Sequence, residues 1–292
     1  MSLATLTPLE PVARLSARVI RVLGLNPGLM TLQGTNTYIV GTGPRRILID
    51  TGERDKPEYV ALLSRVLRDE KVEGFDHILI THWHHDHIGG LDAVSAAVGP
   101  GFIVWKYPRS EICEINEDDP IKVCSLTDGQ KVTTQGATLR VIHTPGHTTD
   151  HVSVHLEEDD AIFSGDSILG EGSSTFETLY DYIKSLEKLL PFDSKRIYPA
   201  HGPVIENPRE KITEYIEHRN LRESQILNVL RNQNCEPIDP SSIVKTLYKD
   251  TPKLLLPAAE RNVLHHLEKL QKENKVSVNG EKWILVNCQS KI

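Results

Sequence analysis

The stretch Thr81-His82-Trp83-His84-His85-Asp86-His87-Ile88-Gly89-Gly90 restricts this chain more than any other feature. His82, His84, Asp86 and His87 put four metal-competent side chains within six residues. The cluster directly follows His77-Ile78-Leu79-Ile80-Thr81, an aliphatic run that reads as a strand, and it precedes a helix. His82 and His84 are two apart, so an extended or looping backbone can aim both at one point. Asp86 and His87 follow where the chain turns into the helix and can serve a neighbouring point. Imidazoles and carboxylates are the usual zinc ligands of catalytic sites. A histidine-rich surface turn is the bland alternative, and the position at a strand end with Gly89-Gly90 behind it argues against that.

Further ligands have to come from elsewhere, and three more strand ends offer them. His147 lies in Thr144-Pro145-Gly146-His147-Thr148, just after a strand ending at Ile142. Asp166 closes Phe163-Ser164-Gly165-Asp166, and His201 lies in Tyr198-Pro199-Ala200-His201-Gly202. Each alone reads as a polar turn residue. Together they complete the order His-x-His-x-Asp-His, then His, Asp and His, which is highly specific. Of the other histidines, His85 should point away from the metals, and His143 is expected to be solvated or packed. His77, His151, His155, His218, His265 and His266 are expected to be structural.

The surrounding pattern is that of an α/β protein with sheets inside and helices outside. Thr37–Val40 and Arg46–Asp50 flank a Gly-Thr-Gly-Pro turn and predict a hairpin, and Pro57–Leu67 has helical spacing. Leu139–Ile142, Val152–Leu156, Ala161–Ser164 and Arg196–Pro199 read as strands, and Tyr180–Leu190 as an amphipathic helix. A second unit begins at Asn207-Pro208-Arg209-Glu210, a helix start with proline at its first position. A long helix, two further helices starting at Asp239-Pro240 and Pro257, and a hairpin turning on Asn279-Gly280 make this unit winged-helix-like. The expected division is a catalytic domain over residues 1–207 and a module over 208–292.

The 292 residues carry 33 basic and 40 acidic side chains, a net charge of −7, so the whole molecule is no obvious polyanion binder. From Arg209 onward the balance reverses, with 14 basic against 11 acidic residues. Cys113, Cys124, Cys235 and Cys288 form no C-x-x-C pair, which argues against a zinc ribbon, and they read as reduced thiols of an intracellular protein. No apolar run is long enough to span a bilayer, and no membrane partner is expected. Arg14, Arg18 and Arg21 give the N-terminal segment a faint likeness to a mitochondrial presequence; a first strand behind a short tail is an equal reading.

Over residues 18–205 the chain resembles the metallo-β-lactamase superfamily, on the seven ligand positions quoted above. The resemblance implies a four-layer αβ/βα sandwich with the metals at one edge. It implies that His82, His84 and His147 bind one zinc, that Asp86, His87 and His201 bind a second, and that Asp166 bridges them. Asp50, in Ile49-Asp50-Thr51-Gly52, matches the family's first motif and is expected to brace the metal loop by hydrogen bonding. Two such ions hold a hydroxide for hydrolysis, and Asp86 and Asp166 are the candidate catalytic residues that orient it. True β-lactamases of the superfamily place a cysteine at one zinc site, whereas this chain offers Asp86 and Asp166 and is more similar to the glyoxalase and nuclease branches.

Met30–Tyr38, Ile168–Gly172, Asp181–Leu186 and the terminal module are similar to the β-lactamase-like protein 2 family. That likeness implies a zinc-dependent endoribonuclease acting on single-stranded RNA, in the mitochondrial matrix or alternatively the cytosol. It implies that the terminal module helps hold RNA. Lys245, Lys249, Lys253, Arg261, Lys269, Lys272, Lys275 and Lys282 are its candidate phosphate contacts. Trp283 and Tyr248 could stack on bases, but core packing is the stronger expectation for both. The rival function is a glyoxalase-II-like thioesterase or other small-ester hydrolase.

Overall fold

The computed structural model describes residues 6–109, 121 and 123–287. One sheet holds seven strands in chain order: β1 (Val12–Arg14), β2 (Val19–Leu23), β3 (Asn36–Val40), β4 (Arg45–Ile49), β5 (Gly74–Ile80), β6 (Ile103–Lys106) and β7 (Val123–Ser125). Its first four strands are antiparallel neighbours, and the rest follow in parallel. Helix α1 (Pro57–Asp69) makes the crossover from β4 to β5. Helices α2 (His85–Ile88) and α3 (Leu91–Val98) lie between β5 and β6. Arg14 and Arg21 belong to β1 and β2, so this arginine-bearing stretch is part of the sheet.

The second sheet has five strands: β8 (Lys131–Thr134), β9 (Ala137–His143), β10 (Val152–Leu156), β11 (Ala161–Gly165) and β12 (Arg196–Pro199). Helix α4 (Leu179–Leu189) crosses between the parallel pair β11 and β12.

Alternate residues explain the layering, because successive side chains of a strand leave by opposite faces. Val19, Ile47 and Leu79 point between the sheets and meet Val141, Val154 and Phe163 of the second. Their neighbours Ile20, Leu48 and Ile78 point outward onto Tyr59, Leu63 and Val66 of α1. On the far side Ile142, Ile162 and Ile197 are covered by Tyr182, Ile183 and Leu186 of α4. Helices, sheet, sheet and helices form the four layers that the resemblance implied. With both faces covered, β2 and β3 are buried throughout. Truncating one such contact, Leu63→Ala for example, costs about 2–5 kcal/mol.

Helices α5 (Pro208–Arg231), α6 (Pro240–Leu247) and α7 (Leu256–Lys272) and the hairpin β13 (Val276–Asn279) and β14 (Lys282–Leu285) complete the chain. Helix α5 serves two cores: Ile212 and Tyr215 pack with α4, while Ile226, Val229 and Leu230 pack with α6, α7 and the hairpin. Asp239 caps α6, its carboxylate accepting the Ser242 N–H at 2.9 Å.

Two expectations need correction. Asn279 is the last paired residue of β13, opposite Lys282, so the loop is Gly280-Glu281 and not Asn279-Gly280. Gly280 alone takes the positive φ, +62°, as the first central position of a type II′ turn requires. Cys235 is disulfide-bonded, against the reading of all four cysteines as reduced; Cys124 is free, and Cys113 and Cys288 lie outside the described residues. No other cysteine lies close to Cys235 in sequence, so no spacing motif marks the bond. No described helix is long and apolar enough to cross a membrane.

Candidate metal centre

Parallel pairing brings the carboxyl ends of neighbouring strands to one edge. Asp50 follows β4 and His82 follows its parallel neighbour β5; Asp166 follows β11, next to the parallel β12 that leads to His201. The two sheets are stitched together at this edge. The Val152 N–H donates to the Thr81 carbonyl at 2.9 Å, and the Asn36 N–H to the Ala200 carbonyl at 2.7 Å. Gly90 lets the chain of the histidine cluster fold back against β4, since a Cβ there would run into the Thr51 carbonyl oxygen.

All seven sequence-derived candidates converge into two groups of donor atoms among the described residues. One is His82, His84, His147 and Asp166; the other is Asp86, His87 and His201. In the first, His84 Nδ1 lies 2.9 Å from His82 Nε2 and 3.0 Å from His147 Nε2. Nitrogens about 3 Å apart are what bonds of about 2.0–2.1 Å to one shared ion demand. In the second, Asp86 Oδ2 is 3.2 Å from Nε2 of both His87 and His201. Asp166 faces both groups: Oδ2 is 3.5 Å from His147 Nε2, and Oδ1 is 3.2 Å from His201 Nε2.

The opposite ring nitrogens are tied down, which fixes each tautomer and aims the free nitrogen. His147 Nδ1–H donates to the Thr175 carbonyl at 2.9 Å. His87 Nδ1–H donates to Asp50 Oδ2 at 2.8 Å, and Asp50 also accepts from the Thr81 N–H and hydroxyl at 2.8 and 2.9 Å. Asp50 thus braces the loop by hydrogen bonding. It holds φ +60°, a region few side chains visit, and the three bonds it accepts hold it there.

The residues present fit metal ions. His87 Nε2 and Asp166 Oδ1 are buried without a hydrogen-bond partner, an arrangement that is costly unless a cation completes it. Burial, helped by neighbouring imidazoles, holds His82 well below its ordinary pKa and brings His84 to about 4, so both are neutral ligands at pH 7. Burial opposes charge on His87 and His201 too, but the surrounding carboxylates outweigh it, raising His87 well above its usual value and His201 to about 9. Burial likewise opposes charge on Asp86 and Asp166, yet the imidazoles around them hold both below the carboxylate range. The second group therefore calls for positive charge among its carboxylates, which a divalent cation supplies while displacing protons.

Three contributors escaped the sequence reading. Thr35 donates its hydroxyl to Asp86 Oδ2 at 3.0 Å and is itself held by Asn26. His151 accepts the Asp166 N–H on Nε2 at 3.0 Å, so it is more than a packed residue. His265 of α7 borders the cleft over the metal ligands. Their side chains reach the site only through tertiary approach, so no local motif marks them. His85 is exposed, and His143 stacks on Tyr107 at 3.9 Å, as expected.

A cavity of about 370 Å³ opens above the two groups, bordered by Leu29, Met30, Asp86, Asp166 and Glu171. A second, of about 470 Å³, shares His84, His147 and Ser173–Thr175 with it and continues to Arg219, Arg261 and His265. A larger cavity of about 980 Å³ near Arg209 and Glu214 touches neither donor group.

The model of the metallo-beta-lactamase superfamily matches residues 30–201. The chain belongs to that superfamily. As a metallo-beta-lactamase superfamily hydrolase it carries a further match, over residues 240–283, to the beta-lactamase associated winged helix domain. A beta-lactamase-like protein 2 homolog from Drosophila melanogaster is 50% identical over 272 residues, covering 92% of each chain. An atrochrysone carboxyl ACP thioesterase from Cryptosporiopsis sp. is 43% identical over 229 residues, 78% of this chain and 67% of that one. A solved metallo-beta-lactamase family protein from Thermus thermophilus shares the fold at TM-score 0.70 and 22% identity, over 93% of this chain and 100% of that one.

The basic residues sort differently from expectation. Lys269 and Lys275 pair with Glu223 at 2.5 and 3.1 Å, and Lys272 with Asp181 at 3.5 Å. Lys245, Lys249 and Lys253 are exposed but border neither cavity of the cleft. Among the described residues, the cations that do border it are Arg219 and Arg261. Trp283 is buried in the module's core, and Tyr248 packs against that core beneath Arg222.

Proposed function

We propose that this chain is a dinuclear zinc endoribonuclease that hydrolyses single-stranded RNA, working in the mitochondrial matrix or the cytosol. One observation carries the reading: the two donor groups floor a cleft that runs on to arginines of α5 and α7, where a strand can pass. The likeness to beta-lactamase-like protein 2 relatives over 92% of the chain supports it. His82, His84 and His147 would hold one zinc, Asp86, His87 and His201 the other, with Asp166 bridging. When bound, two zinc ions activate water and stabilise charge that develops on phosphate oxygens.

The protein's own contribution is placement. Asp86, steadied by the Thr35 hydroxyl, borders the cavity and orients the attacking water. The Thr175 carbonyl and the Asp50 carboxylate keep His147 and His87 aimed at their ions. The cleft's continuation along α7 keeps the rest of the strand beside the scissile phosphate.

A second reading, thioester hydrolysis, is favoured by the thioesterase relative. The exposed Leu29 and Met30 at the cavity's mouth could also cover an acyl group. Zinc-loaded protein assayed against labelled single-stranded RNA and a thioester panel separates the two. Chelator-sensitive cutting of RNA supports the nuclease; fast thioester hydrolysis with intact RNA supports the rival.

A further inference from the structure

Arg219 is 7% exposed, yet among the described residues no carboxylate forms an ion pair with it. Its Nη2–H donates to the Ser174 carbonyl at 3.2 Å, and its guanidinium stands 4.9 Å over the Phe176 ring. Its Nε has no hydrogen-bond partner. A cation withdrawn from water with no counter-ion costs several kcal/mol, so a buried guanidinium like this one calls for an anion.

The cavity beside it shows what kind. One wall is made by the metal-ligand candidates His84 and His147, the other by Ala258, Arg261, Asn262 and His265 of α7. These four are spaced i, i+3, i+4 and i+7, a single stripe on the helix. The other face of α7, with Ala259, Val263 and Leu267, is buried in the module's core. The stripe offers nitrogen donors. Among the described residues the acid that borders the cavity is Glu177, which is already engaged by Arg109 at 3.1 Å. Guanidinium forks match the paired oxygens of a phosphate.

We infer that Arg219 and Arg261 form a subsite for an RNA phosphate neighbouring the scissile one. The inference rests on the nuclease reading, because it assigns the anion to the same strand whose scissile phosphate lies over the donor groups. Arg261 is exposed and can be removed without disturbing a core; Arg219→Met keeps the packed stem and removes the charge.

The test measures binding of a single-stranded RNA oligonucleotide to metal-free protein across a salt series. It adds steady-state cleavage of that RNA and of bis(p-nitrophenyl) phosphate, a small diester with no neighbouring phosphate. Arg261→Ala should raise Kd and KM for RNA about tenfold, as loss of one charged hydrogen bond does. It should lower the magnitude of the logarithmic salt slope by about 0.7, and raise KM for RNA far more than it lowers the small-diester rate. Arg219→Met should act in the same direction. If wild type cuts RNA while both variants bind it with unchanged affinity and slope, the subsite is overturned and the nuclease reading stands. If wild type neither binds nor cuts RNA but hydrolyses thioesters, the nuclease reading falls and the subsite with it.

Discussion

The Asp166 N–H donates to Nε2 of His151 at 3.0 Å, which ties the residue facing both donor groups to a ring wholly buried beneath them. Because Nε2 accepts, the ring proton sits on Nδ1, where the Thr144 hydroxyl waits at 2.9 Å. Gly165 makes this approach possible: its φ is +50°, and a Cβ there would stand 2.5 Å from His151 Nε2.

His151 is therefore expected to set metal affinity without touching metal. His151→Leu should weaken binding of the metals about 10–100-fold. His151→Gln should restore part of it, because the amide oxygen can accept the same N–H. Competition against a chromophoric chelator reads both. Equal affinities in the two variants would reduce His151 to a packing residue.

His84→Ala should separate chemistry from folding. His84 is half-buried on the loop after β5 and belongs to none of the apolar cores. Loss of a ligand should lower kcat about a hundredfold or more, at least what loss of a ligand's supporting partner costs. Global stability should change by no more than about 0.5 kcal/mol in the metal-free protein, which denaturant titration measures.

The seven ligand candidates were legible because histidines and aspartates at strand ends, in a fixed order, rarely converge for any purpose but holding metal, and the four-layer architecture followed from the superfamily resemblance that this order carries. Two features were not. Lys245, Lys249 and Lys253 were among the expected phosphate contacts, yet charge in sequence does not say which elements border the cleft. Arg219 and His265 looked like ordinary helix residues, and only the docking of α5 and α7 beside Phe176 brings them to the site. The short strands β1, β6, β7 and β8, three or four residues each, give too little length to show an alternation.

Acid should loosen the winged-helix module. His266 is buried, neither ring nitrogen has a hydrogen-bond partner, and burial together with Arg219 and Lys269 lowers its pKa to about 3. The unfolded chain takes up this proton near the ordinary 6.5, so the unfolded state binds more protons in between. The stability contributed by neutral His266 is complete above pH 6.5 and is lost as pH falls from there toward 3. Within that window the loss is about 1.4 kcal/mol per pH unit. Denaturant melts at successive pH values should show the slope in wild type, and His266→Leu should lack that share. An unchanged slope in the variant would assign the acid sensitivity to other groups.

The most direct test of the account is the chemistry of the ends it leaves. Zinc-loaded protein should be incubated with a defined single-stranded RNA, and the fragments analysed by mass spectrometry. Attack by water that Asp86 orients, with metals held by the two donor groups, would leave 5′-phosphate and 3′-hydroxyl ends and make no use of the ribose 2′-hydroxyl. Fragments with 5′-phosphate and 3′-hydroxyl termini, absent when chelator is added, are the predicted result. Termini carrying 2′,3′-cyclic phosphate would contradict it.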